Sequence, residues 1–206
     1  MMDEFKKMDA PEPAEASVTE EATKPKVPLL HTVFDALEVF CLSAVLVVLF
    51  FTFVGRMATV SGNSMYPTLY NYDRVIVSSF FYTPECGDIV VVQKESGYYD
   101  NQLLIKRVIA KGGQTVTFDF AKWTVSVDGE VIDEPYINRL IGVAMRKGDI
   151  TGDTVVVPEG CYFVLGDNRN ESADSRFDTV GFVKKTEIVG KAIYRVYPNA
   201  SKLDSP

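Results

Sequence analysis

From Val39 to Val54 the chain runs for 16 residues without a charge. Ala36, Leu37 and Gly55 extend the run to about 20 residues, the length that crosses a ~30 Å hydrocarbon layer as a helix. A segment this apolar is either held in lipid or cut away as a leader. A leader needs small residues at its cleavage point. A cut after Ala58 puts Arg56 at the third position back, and a cut after Gly55 puts Phe53 there. The sequence therefore predicts an uncleaved transmembrane helix over residues 34–56. Residues 1–27 are rich in Glu, Ala, Pro, Lys and Thr and bury too little apolar surface to offset chain entropy, so they read as a disordered cytoplasmic tail. Lys24 and Lys26 before the helix and Arg56 after it give only a weak charge bias for orientation. The short acidic tail fits an arrangement with the remaining domain on the extracytoplasmic side of the cell membrane.

Beyond the anchor the pattern is that of strands. Residues 74–77, 88–92, 103–110, 114–118, 154–157, 162–164 and 191–197 are short and rich in β-branched and aromatic side chains. Gly, Pro, Asp and Asn separate them. Residues 123–127 and 130–132 flank Asp128-Gly129 and read as a hairpin on an Asp-Gly turn. The expected fold is mainly β: one N-terminal transmembrane helix followed by an antiparallel β ectodomain. Within it, residues 57–113 and 154–200 form the expected core, and residues 114–153 form a small inserted β subdomain.

The net charge is -7, and Lys and Arg are scattered among acids rather than clustered, which excludes nucleic acid as a partner. Cys41 lies inside the apolar run, and the state of Cys86 and Cys161 stays open. The only histidine, His31, precedes the anchor, so neither a Cys/His zinc site nor a Ser-His-Asp triad can be built in the ectodomain.

Ser64 is the candidate nucleophile. It lies in Ser61-Gly-Asn-Ser-Met-Tyr-Pro-Thr-Leu69, between a glycine free to adopt unusual backbone angles and a proline with a fixed φ. Without histidine, its proton must go to another group, and a neutral lysine amine is the available choice. Lys106 stands out, because Leu103-Leu-Ile-Lys-Arg-Val-Ile-Ala110 is otherwise nearly all apolar. Alternation sets Lys106 with Leu104 and Val108, and Arg107 with Ile105 and Ile109, so one of the two cations faces the apolar side. Burial would lower the lysine pKa, with Arg107 pushing the same way; a lysine snorkelling off an edge strand fits the pattern too. A third island, Gly166 to Phe177, gathers Arg169, Ser172, Asp174, Ser175 and Arg176. Asp174 can pair with either arginine. A solvated acidic turn or a calcium loop is the alternative, though two arginines would repel a cation.

In their order along the chain, these islands resemble the type I signal peptidases of the Gram-positive kind, membrane serine/lysine proteases that remove signal peptides from exported proteins. The resemblance rests on residues 61–69, Asp73-Arg-Val75, Gly87-Asp-Ile-Val-Val91, Lys106-Arg-Val-Ile109, Gly166-Asp-Asn-Arg169 and Ser172-Ala-Asp-Ser-Arg176. It implies Ser64 as nucleophile and Lys106 as general base. The Ser64 N–H becomes an oxyanion donor, Ser172 orients the lysine amine, and Asp174 with Arg169 and Arg176 forms bracing ion pairs. Met65 lines the substrate pocket. The implied partners are preprotein signal peptides, the lipid bilayer and, further, the secretion machinery; no cofactor or metal is implied. Two departures stand out. Gly62 occupies the position where some relatives carry a serine that completes the oxyanion hole, and Ala110-Lys-Gly-Gly-Gln114 replaces the usual Gly-x-Pro-Gly-Asp. The competing readings are a processing protease dedicated to one specialised substrate and a non-catalytic, membrane-tethered binding domain.

Overall fold

The structure is a computed structural model that describes residues 29–53, 55–95, 97–99 and 102–203. The tail expected over 1–27 lies outside the described residues. The chain divides into two compact units, Met1–Leu42 and Ser43–Pro206. The apolar run is one helix, α1 (Leu29–Phe53), with a stretch from Leu30 to Phe50 of mean hydropathy 2.4 that is long and apolar enough to cross a membrane. The helix starts earlier than expected, and it also ends earlier because Arg56 opens a strand.

The strands are β1 (Arg56–Thr59), β2 (Arg74–Ser78), β3 (Ile89–Gln93), β4 (Leu103–Lys111), β5 (Thr115–Asp119), β6 (Thr124–Val127), β7 (Glu130–Val131), β8 (Thr154–Val156), β9 (Cys161–Leu165), β10 (Val183–Lys184), β11 (Ile188–Tyr197) and β12 (Ser201–Lys202). Among the described residues they form two sheets. The larger has the order β1-β2-β11-β3-β4-β9-β10, with β12 added on β11; the smaller has the order β7-β6-β5-β8. Every register given for these pairs is antiparallel or, for β2 and β3, mediated by β11 between them.

One placement differs from the expectation. Thr154–Val156 was expected in the larger body, but it pairs with Thr115–Thr117 in the small sheet. Local alternation marks a strand and its buried face, while the choice of partner depends on where the chain returns. The small sheet also shares its core with the large one. Val116, Phe118, Trp123 and Val125 pack with Ile109, Ala110, Phe163 and Leu165 in one buried cluster. Phe163 is fully buried, with its ring centroid 6.0 Å from that of Phe118 and 6.2 Å from that of Phe182.

The central strands are buried on both faces, which explains their near-continuous apolar runs. Along β3, Ile89 and Val91 join a cluster with Val60, Met65, Leu69 and Ile105. Val90 and Val92 point the other way, to Val108, Tyr162 and Val164. Between these layers lies the strand that carries both cations.

Because the two sheets share one core, they unfold together. Phe163→Ala is expected to cost about 3–5 kcal/mol. In detergent, Trp123 fluorescence, which reports on the small sheet, and far-ultraviolet circular dichroism should shift to the same lower midpoint. Separate midpoints would show that the small sheet is an independent unit.

Candidate active site

Gly62 sits at φ +88°, a region that side chains with a Cβ rarely enter, and it turns the chain between Ser61 and Asn63. Its N–H donates to Asn71 Oδ1 at 2.9 Å. The turn is then tied to the third island. The Asn168 N–H donates to the Ser64 carbonyl at 3.0 Å, and the Asn168 side-chain amide donates to the Asn63 carbonyl at 3.1 Å. Gly166 lets the two segments approach this closely. A Cβ there would lie 2.2 Å from Ser172 Oγ and 2.5 Å from the Ser64 carbonyl oxygen.

Ser64 and Lys106 meet. The Lys106 Nζ lies 2.9 Å from Ser64 Oγ and donates to the carbonyl of Ile105 at 2.8 Å. Lys106 is only 3% exposed, so it does not snorkel. Burial pulls its pKa down to about 8, against the opposing charges of Asp174 and Asp167. Loss of water outweighs two nearby carboxylates.

Both adjacent cations are buried, where alternation led us to expect one. Arg107, on the other face of β4, binds Asp167 through two bonds, Nε to Oδ1 at 2.9 Å and Nη2 to Oδ2 at 2.7 Å. It donates to the Gly87 carbonyl at 2.8 Å and lies 3.8 Å from the centroid of the Tyr136 ring. Thr68, four residues past the serine, donates to the same Asp167 at 2.5 Å.

The third island is an interior brace rather than a solvated turn. Asp174 is fully buried and accepts two bonds from the Arg176 guanidinium, each 2.8 Å. Burial works against its ionisation, but the Arg176 charge and hydrogen bonds, with the Gly166 N–H, hold its carboxyl below the usual range. Arg169 does not pair with Asp174. Its guanidinium is bound on two sides by Glu134, from the loop after the β6–β7 hairpin, and its backbone carbonyl accepts from Arg176 at 2.5 Å. Asp174 pairs with Arg176, and the carboxylate partner of Arg169 is Glu134.

Ser172 is also placed differently from the expectation. Its Oγ is buried against the Gly166 backbone and makes no hydrogen bond of normal geometry, although it lies close enough to favour the charged form of Asp174. The lysine amine is oriented by Ile105 and Ser64 instead. Met65 is 1% exposed and contributes to both the core and the floor of the cleft. Asp167, Glu134, Asn168 and Tyr136 were not assigned from the sequence. Asp167 and Asn168 stood inside the Gly-Asp-Asn-Arg motif, so a signal existed; Glu134 and Tyr136 had none.

The serine and lysine lie in a cleft of about 540 Å³, lined among others by Met57 to Met65 and Leu103 to Lys106. Among the described residues β1 pairs on one side only, with β2. β9 joins β4 from Arg107 onward, which leaves residues 103–106 unpaired on that side. The cleft is therefore flanked by two free strand edges. Cys86 and Cys161 are both free.

A serine hydroxyl bonded to a buried lysine of lowered pKa, with no histidine beside it, is the arrangement of a serine/lysine hydrolase. Comparison with known proteins narrows the class. Residues 33–197 match the family described as signal peptidase, peptidase S26. The chain is 37% identical over 162 residues to the probable signal peptidase I-1 of Synechocystis, covering 75% of this chain and 77% of that one. It is 35% identical over 164 residues to signal peptidase I S of Bacillus subtilis, covering 76% and 85%. A crystal structure of a signal peptidase I from Enterococcus faecalis is 31% identical, covers 53% of this chain and 97% of that one, and superposes with a TM-score of 0.43. The chain belongs to the signal peptidase family, peptidase S26.

The buried lysine has a stability signature. Lowering its pKa from 10.5 to about 8 corresponds to about 3 kcal/mol of destabilisation of the folded state. That cost is complete below pH 8, where both states hold the proton, and is relieved as pH rises from about 8 to about 10.5. Lys106→Met removes it. The stability of Lys106→Met relative to wild type should therefore fall by about 3 kcal/mol between pH 7 and pH 11, measured by denaturant unfolding in detergent. A pH-independent difference would contradict a lowered pKa.

Proposed function

We propose that the chain is a membrane-tethered endopeptidase that removes signal peptides from preproteins after small residues, with Ser64 as nucleophile and Lys106 as general base. The observation that carries this reading is the 2.9 Å contact between Lys106 Nζ and Ser64 Oγ in a cleft open along two strand edges. An extended preprotein segment would enter as an added strand between β1 and residues 103–106, with backbone pairing supplying affinity. The apolar lining beside Ser64, including Val60, Met65, Val91 and Ile105, suits small side chains before the cut.

The neutral Lys106 amine takes the Ser64 proton as Oγ attacks the scissile carbonyl. The resulting ammonium returns a proton to the leaving amine, and an acyl ester remains on Ser64. Water then gives a proton to the same amine, attacks the ester and frees the serine. Among the described residues the Ser64 N–H has no acceptor, so it is free to bind the oxyanion. The Gly62 N–H is committed to Asn71, so a second donor comes from elsewhere in the turn or from water. Asp174 with Arg176, and Arg169 with Glu134, hold the loop that fixes the Ser64 carbonyl.

α1 supports a single crossing of the cell membrane, with the β domain on the extracytoplasmic side where signal peptides emerge from the secretion machinery. Ser64 follows the helix by about ten residues, which suits substrates held in the bilayer by their own apolar segment.

Preprotein cleavage by the full chain in detergent tests the roles. Ser64→Ala is expected to abolish cleavage, and Lys106→Ala to reduce it by at least about 10²–10⁴-fold. Full activity in either variant would overturn the mechanism, and wild-type inactivity on every preprotein would favour a binding domain. Because the base must be neutral, kcat/KM should rise with pH and reach half its plateau near pH 8. A profile set by a group titrating near 6.5 would exclude Lys106 as the base.

A further inference from the structure

The surface beyond Ser64 is grooved as well. Asn63 and Glu171 line the cleft, and both also line a second hollow of about 390 Å³, together with Tyr66, Tyr70 and Asn138. Tyr70 in turn lines a third hollow of about 580 Å³, with Tyr72, Tyr197 and Arg195. The shared walls join the three into one path.

The sheet gives this path a direction. β1 is antiparallel to β2, β2 to β11, β11 to β3, and β3 to β4. These reversals leave β1 and β4 running the same way, each away from the α1 side. Thr59, at the end of β1 away from α1, faces Arg74 of β2, and Arg74 faces Tyr197 of β11. The turn bearing Tyr70 and Tyr72 directly precedes Arg74. The third hollow therefore lies at the end of the sheet opposite the helix exit.

The side chains along the path present rings and one carboxylate. Tyr66 and Tyr70 are exposed, edge to face at 5.2 Å. Tyr72 is exposed and held at φ +71°, a conformation uncommon for a bulky residue. Tyrosine offers a rigid, amphipathic contact area at small conformational cost. In the third hollow the opposite charges meet each other, Arg195 lying 3.4 Å from Asp73 and donating to the Thr68 and Asn199 carbonyls. Among the described residues Glu171 is the one charged side chain lining the second hollow. It is exposed and accepts a single long side-chain bond, from Asn168 at 3.4 Å. A carboxylate with spare acceptors thus stands where the cleft passes into the second hollow.

We propose that this path is a subsite for the mature side of the preprotein. The residues just after the cut cross Glu171, where lysine or arginine is favoured over an acid, and the chain beyond lies extended over the tyrosines. The inference rests on the endopeptidase reading. A substrate whose signal segment is held in the bilayer enters from the α1 side, parallel to β1 and β4, so its mature segment leaves toward the tyrosines. The exposed carboxamides of Asn63 and the half-buried Asn138 supply partners for its backbone. Small side chains before the cut are then one half of recognition, and charge after the cut is the other.

The test uses the full chain in detergent and peptides that share one signal side. One ends about two residues after the cut and the other about eight. The long peptide should show a KM at least about threefold lower, and Tyr70→Ser combined with Tyr72→Ser should bring the two KM values together. A second pair of long peptides carries lysine or aspartate just after the cut. Wild type should favour lysine in kcat/KM by at least about threefold, Glu171→Gln should shrink that preference, and Glu171→Lys should reverse it. A variant that merely disturbed the fold would slow both peptides of a pair alike, and that result overturns the proposal. So does equal KM for long and short peptides in wild type, or a lysine preference that survives Glu171→Lys. If wild type cleaves no peptide and no preprotein, the endopeptidase reading fails. Fluorescence anisotropy of the labelled, lysine-bearing mature segment alone then decides the path: at least about threefold weaker binding to Glu171→Lys supports it, and equal binding overturns it.

Discussion

An ammonium group placed among valines and isoleucines loses most of its hydration, and the fold around Ser64 depends on how Lys106 meets that loss. At 3% exposure the lysine has two hydrogen-bond partners among the described residues, the Ile105 carbonyl and the Ser64 hydroxyl. Neither carries a charge. The lysine therefore gives up its proton near pH 8 rather than at its ordinary value. Deprotonation leaves an amine lone pair within reach of a hydroxyl, so the stability cost and the proposed chemistry have one cause.

Two buried aspartates nearby should reverse this, since each favours the charged lysine. They do so only in part because each is already engaged. Asp167 is gripped on two sides by Arg107, and Asp174 on two sides by Arg176. A guanidinium, always charged and shaped to match a carboxylate, cancels most of each negative charge at the distance of the lysine. The neighbouring arginine thus acts on Lys106 indirectly, by occupying Asp167. The same pairs fasten the β4 strand, the serine turn and the 166–176 loop to one another through Thr68, Gly166 and Asn168. Removing one partner from such a buried pair strands the other, which makes the brace stiff as well as electrostatic.

The sequence made the pairing of Ser64 with Lys106 legible because no histidine follows the apolar helix and one lysine interrupts an apolar strand. The β class and the anchor were equally readable from alternation and from an uncharged run. What escaped depended on tertiary return. Arg56–Thr59 is only four residues long and follows the apolar run without a break, so nothing local separated it from the helix. Thr154–Val156 looked like any short strand, and its partner in the small sheet is set by the path of the chain. Arg169 was matched to Asp174 by proximity in sequence, but its carboxylate comes from Glu134, 35 residues earlier in a polar loop with no periodic signal. Ser172 was expected at the lysine and is instead held against Gly166, a close approach that no sequence pattern encodes.

The proposed role of Lys106 as a base requires its amine to be neutral at working pH, which burial favours by lowering its pKa. The direct measurement is the titration of its side-chain carbon resonance in full-length protein carrying 13C-labelled lysine, assigned with Lys106→Met. A midpoint near 8 is expected. A midpoint at the ordinary lysine value of about 10.4 would contradict it.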